Sequence, residues 1–258
     1  MARASEIIDY MESQRDDVQR EHLMRFFKTG EGEYGYGDEF LGLKVPQTRE
    51  VVKAVMDTPL DEIPDLLMSN WHEVRLCGVL LLVSKFEKLA SSRLDNDLDA
   101  IRRRDEILTL YLKYAERANN WDLVDLSAPK ILGHWLMLPT GLGDASRKYK
   151  QEVVDGLAMS DNLWRQRMSM VCTWKTNQQG DPSWCLRYSE MHLGHPHDLM
   201  HKAVGWMLRE MGKRVSMDLL RDFLRQHVHE MHRTTLRYAI EKMDEEERRI
   251  WMTFKLKV

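Results

Sequence analysis

Apolar residues recur at three- and four-residue intervals along nearly the whole chain: Ile7, Tyr10 and Met11; Val51, Val52 and Val55; Ile107, Leu108, Tyr111 and Leu112. That period puts them on one face of an α-helix. The alternation of a half-buried strand is almost absent. Short polar stretches interrupt the helical pattern, at TGEGEYGYGDEF, DTPL, MLPTGLGD, NQQGDPSW and HLGHPHD. Pro46 suits the first turn of a helix running through QTREVVKAVMD, where its missing N–H is no loss. Asn120 suits an N-cap, with Asp122 favourable beside the helix dipole. Asp161 or Asn162 suits the same role ahead of Trp164. The fold class predicted is all-α with many short connections.

Four segments share one design: NWHEVRLCGVLLL, NLWRQRMSMVCTW, DLMHKAVGWMLRE and MHRTTLRYAIEKM. Each has a polar or His-rich start, a basic residue and an apolar run. The basic residues are Arg75, Arg167, Lys202 and Arg237, the last three spaced by 35 and 35 positions. A period near 40 residues is that of helix-pair repeats. The expectation is one domain over residues 1–258, a right-handed superhelical solenoid. One helix of each pair would line a concave groove and present its cation there.

Composition narrows this picture. The chain has 258 residues, 43% of them apolar and 31% charged. No apolar run approaches the ~20 residues of a spanning helix. The N-terminus turns polar and acidic at once, unlike a secretory signal. Cys77, Cys172 and Cys185 form an odd set, read as reduced thiols of a cytoplasmic protein. Net charge is −3, yet residues 201–258 hold 13 Lys and Arg against 9 Asp and Glu. Local field rather than net charge governs contact with nucleic acid.

One segment breaks the repeat. Trp71 precedes Arg75 by four residues, whereas Trp121 precedes Asp125 by four: a carboxylate stands where the others carry a cation. Trp121 and Asp125 share a helix face. Such a pair also reads as a packing indole and a salt-bridging acid. In a cation-lined groove, however, an acid repels phosphate and needs another use. A carboxylate aimed at a sugar carbon stabilises the cation that develops as a glycosidic bond breaks. Indoles beside a cationic base add cation–π attraction, roughly 0.5–2 kcal/mol each.

Several segments in order resemble the DNA alkylation repair family of HEAT-like repeat glycosylases: FLGLKVPQTREVVK, NNWDLVDLSAPKILG, DNLWRQRMSMV and HKAVGWMLREMGK. The resemblance runs from about residue 20 to about residue 240. It implies excision of 3-methyladenine and 7-methylguanine from double-stranded DNA, in base excision repair, with no metal and no cofactor. It assigns catalysis to Asp125, with Trp121 and Trp206 beside the lesion, and phosphate contact to Arg167. Arg75, Lys202, Arg209 and Arg237 would extend the DNA-binding groove, with Lys175 and Lys44 contributing. Asn120, Asp198 and Leu199 depart from relatives that carry aromatics there. A nucleoid-associated monomer, away from membranes, is expected. A non-catalytic relative binding branched or distorted DNA, or a protein-binding scaffold, would use the same architecture.

Other features read as structure. Trp135, Trp174 and Trp184 are expected in the core. The histidines at 192, 195, 197 and 201 lack the companions of a metal site. GEGEYGYGD reads as a mobile loop, since it has no P-loop lysine.

Overall fold

The computed structural model describes residues 2–254, so the extreme ends of the expected 1–258 domain lie outside the described residues. Among these are sixteen α-helices and no strand; an isolated bridge joins Glu39 to Trp71. The chain falls into two compact units.

The first unit comprises residues 1–131 with 139–141. It carries α1 (Ala4–Ser13), α2 (Asp17–Phe26), α3 (Val45–Ala54), α4 (Ile63–Met68), α5 (His72–Leu89), α6 (Leu98–Lys113) and α7 (Trp121–Ser127). Its centre is α5, which is apolar all round from Val74 to Val83 apart from Arg75. A helix apolar on every side belongs inside a core, and α3, α4, α6 and α7 pack against it. Val45 and Pro46 open α3 as expected, and the Gln47 side chain accepts from the Lys44 N–H at 2.8 Å. Asn120 caps α7 by accepting from the Trp121 N–H at 2.9 Å.

The second unit comprises residues 132–138 and 142–258. It carries α8 (Leu132–Met137), α9 (Ser146–Ala158), α10 (Leu163–Val171), α11 (Thr173–Gln178), α12 (Ser183–His192), α13 (Asp198–Arg214), α14 (Met217–His227), α15 (Arg233–Ala239) and α16 (Glu245–Thr253). Here α13 is central, packed by α10, α11, α12, α14 and α15. Its crossing with α15 needs Gly205, where a Cβ would lie 2.4 Å from the Thr235 carbonyl oxygen. Asn162, not Asp161, caps α10, accepting from the N–H groups of Trp164 and Arg165 at 3.0 and 3.1 Å.

Trp135 and Trp184 are core residues as expected; Trp174 is half-buried beneath the Arg214 guanidinium. The three cysteines are buried free thiols, and burial raises the pKa of each. Among the described residues no helix is long and apolar enough to cross a membrane.

Candidate active site

In the first unit, Trp121 and Asp125 lie one turn apart on α7, both half-buried. Trp121 does not stand alone. Its ring stacks on Phe27 at 5.4 Å between centroids and meets the edge of exposed Phe26 at 5.9 Å. Phe27 in turn stacks on Phe40 at 5.2 Å and lies 5.0 Å from the His72 ring. An offset aromatic pile of this kind holds an indole at a fixed height.

Beneath the pile runs a buried charge network that the sequence did not disclose. His72, 2% exposed, is the first residue of α5. Its Nδ1–H donates to Asp38 at 2.7 Å, and its Nε2–H donates to Asp122 at 3.0 Å. Both partners are carboxylate oxygens, so the ring must donate from both nitrogens and carries a positive charge. Burial pushes the imidazole pKa down, but attraction and hydrogen bonds from Asp122, then Asp38, raise it to about 9. The same network lowers the pKa of Asp38: burial works to raise it, but His72 and then Arg75 outweigh that. Glu73 uses its two oxygens to accept from the backbone N–H groups of Leu41, Gly42 and Leu43, at 2.8–3.0 Å. The signal for these residues was the polar pair His72–Glu73 at the head of an apolar run.

Arg75 corrects an expectation. Placed in the groove by its position in the repeat, it is 1% exposed. Its guanidinium donates to the carbonyls of Ser69 and Asn70, at 2.9 and 2.7 Å, and pairs with Asp38. A charge so enclosed is held by its partners and does not meet phosphate. The 28–38 loop also differs from the mobile segment expected. Gly35 packs where a Cβ would lie 2.4 Å from the Phe27 carbonyl oxygen and 3.4 Å from Asn120 Nδ2, and Asp38 is buried. The tip residue Tyr36 remains exposed. Lys44, ahead of α3, is also exposed.

In the second unit, Lys202, Trp206 and Arg209 follow one another along α13 at spacings of four and three, so they share a face. Trp206 is half-buried. Lys202 pairs with Asp198 at 2.7 Å, and Arg209 pairs with Glu241 and lies 3.5 Å from Glu210. Arg167 is 5% exposed and donates Nη1–H to the Leu199 carbonyl at 2.5 Å. It is an inward strut at the start of α13 rather than an outward cation. Lys175 on α11 donates to Gln178 at 3.1 Å, and Arg237 on α15 is exposed.

Three histidines of this unit, His195, His197 and His201, gather at the start of α13. His195 Nδ1 accepts the His197 N–H at 3.0 Å, and His197 Nδ1 accepts the Leu199 N–H at 3.1 Å. A ring nitrogen that accepts an N–H is unprotonated. Burial, then neighbouring His197 and His201, lowers the pKa of His195. Burial likewise lowers that of His197, against the pull of Asp198. His192 is pushed down to about 4 by burial and by His195. Among the described residues no three His, Cys, Asp or Glu side chains assemble as a metal-holding group.

Residues 7–243 match the family described as DNA alkylation repair enzyme. No curated protein matches the chain. Among solved structures it is similar to a predicted DNA alkylation repair enzyme from Enterococcus faecalis. That likeness has a TM-score of 0.65 at 14% identity and covers 90% of this chain and 97% of the other. It supports the all-helical fold, and the family match extends over nearly every helix described above. The chain therefore belongs to the DNA alkylation repair enzyme family.

Proposed function

We propose that this protein is a DNA glycosylase that hydrolyses the N-glycosidic bond of cationic N-alkylated purines, 3-methyladenine and 7-methylguanine, in duplex DNA. The observation that carries the reading is the Trp121–Asp125 pair on one face of α7, with the indole backed by Phe27. Membership of an alkylation repair family supplies the class of damage.

The chemistry follows from charge. The alkylated base is already positive, so it departs with the bonding electron pair and becomes neutral. The sugar carbon turns cationic as the bond stretches. A fixed carboxylate at Asp125 favours that charge and orients the water that attacks it. The water oxygen bonds to the sugar carbon, its proton leaves to solvent through Asp125, and an abasic site remains. Trp121 offers its indole face to the lesion nucleotide, and Trp206 offers a second indole face to the DNA. Arg167 acts through α13, which carries Trp206. Lys44, Lys175, Lys202, Arg209 and Arg237 supply positive field to the phosphates. Arg75 takes no part. The reading calls for no metal or cofactor and places a monomer on chromosomal DNA in the cytoplasm.

The test is incubation with N-methylated duplex DNA and chromatography of the released bases. Asp125→Asn is expected to slow release by ~10²–10³, with DNA affinity equal or higher because a repulsive charge is gone. Wild-type rates in that variant remove the mechanism, and no release by the unmutated protein removes the activity.

A further inference from the structure

The network under Trp121 ties together three segments that sequence keeps far apart. Asp38 ends the 28–38 loop, His72 begins α5, and Asp122 is the second residue of α7. Asp122 is 6% exposed, and its Oδ1 is buried with no hydrogen-bond partner. Its hydrogen bonding thus rests on the one contact between Oδ2 and His72. Asp122 adjoins Trp121 in sequence and lies three residues before Asp125. The His72 ring also stacks on Phe40 at 4.4 Å, and Phe27 bridges that layer to Trp121. The ring therefore meets α7 twice, once through the Asp122 carboxylate and once through the aromatic pile.

We propose that His72 is a positioning residue: by bridging Asp38 and Asp122 it fixes the first turn of α7, and with it the height of Trp121 and the aim of Asp125. This inference rests on the glycosylase reading of those two residues for its kinetic consequence, though not for its structural one. Without His72, a buried carboxylate at the start of α7 loses the one donor it has among the described residues, and that turn must move to find water. The charged groups around the ring are Asp38, Asp122, Arg75 and, through its influence on Asp38 and Arg75, Arg117. Both carboxylates hold the ring protonated through neutral pH, so the clamp stays closed there.

Two variants and three readouts test this. His72→Gln removes the charge and one of the two hydrogen bonds. Asp122→Asn keeps the shape and still accepts from the ring, but withdraws one of the two charges that keep it protonated. Imidazole proton spectroscopy at pH 7 is expected to show both ring N–H protons of His72 in the unmutated protein; a ring with one N–H overturns the clamp. Amide exchange over residues 119–128 is expected to quicken at least tenfold in His72→Gln and to stay near the unmutated rate in α1 and α6, which carry none of the three clamp residues. Unchanged exchange in α7 overturns the proposal. For base release, His72→Gln is expected to lower kcat at least tenfold with DNA affinity within about twofold. Asp122→Asn is expected to lose kcat progressively as pH rises from 6 to 8, while the unmutated protein does not. A pH-independent loss in Asp122→Asn means a purely structural role and overturns the assignment. If the unmutated protein releases no base, the glycosylase reading fails, and the proton and exchange measurements still decide the clamp.

Discussion

The two compact units bury histidine in opposite electrical states. In the first, both nitrogens of His72 face carboxylates, and the ring is a cation with a pKa raised to about 9. In the second, His195 and His197 each accept a backbone N–H at Nδ1, and His192 is pushed down to about 4. Burial opposes charge in both places. What differs is the partner: two anions outweigh the desolvation around His72, whereas the second cluster offers mainly N–H donors and other imidazoles. In the first unit the charges of Asp38, His72, Arg75 and Asp122 are turned inward and paired. In the second, His195 and His197 serve as neutral acceptors that tie down the start of α13.

The arginines extend the contrast. Arg75 and Arg237 occupy like places in the sequence repeat, yet one is enclosed and the other exposed. The sharpest test exchanges each for alanine. Arg75→Ala strips Asp38 of a buried partner and is expected to destabilise the protein by about 3–5 kcal/mol, read from urea denaturation. A loss below about 1 kcal/mol would make Arg75 equivalent to a surface residue and break the comparison.

The pH dependence of stability comes next in size. The contribution of His72 is complete below the ordinary imidazole pKa of 6.5 and is lost as pH rises toward about 9. That of His192 is complete above 6.5 and is lost as pH falls toward about 4, because the buried neutral ring must then take up a proton. Urea midpoints measured from pH 4 to pH 9.5 are therefore expected to fall at both ends. His72→Gln should flatten the alkaline limb and His192→Gln the acidic one. The two variants flattening the same limb would show that the units do not differ in this way.

The smallest effect on stability falls on Arg237. Arg237→Ala should change it by no more than about 0.5 kcal/mol. In the proposed role it should also lower the salt dependence of DNA binding by about one counterion. Unchanged salt dependence removes Arg237 from the interface.

Much of the fold was legible in the pattern of apolar positions, because a helix must bury one face and the spacing records which. The caps at Asn120 and Asn162 and the opening of α3 at Pro46 were legible for a similarly local reason: the unsatisfied N–H groups of a first turn select particular side chains. The shared face of Trp121 and Asp125 on α7 was legible because their spacing is one helical turn. Arg75 was misplaced because a repeat alignment fixes a residue's register in a helix pair, not the acid that comes to meet it. That acid, Asp38, arrives from a loop 37 residues away.

The sequence by itself determined the helices, their starts and the tryptophan–aspartate face of α7, all of which depend on residues within a turn or two of one another. The tertiary structure alone decided which charges are enclosed and which imidazoles are protonated. Desolvation and Coulomb attraction act between groups that share space rather than sequence, so Asp38, His72 and Asp122 acquire their common chemistry only once the chain has folded.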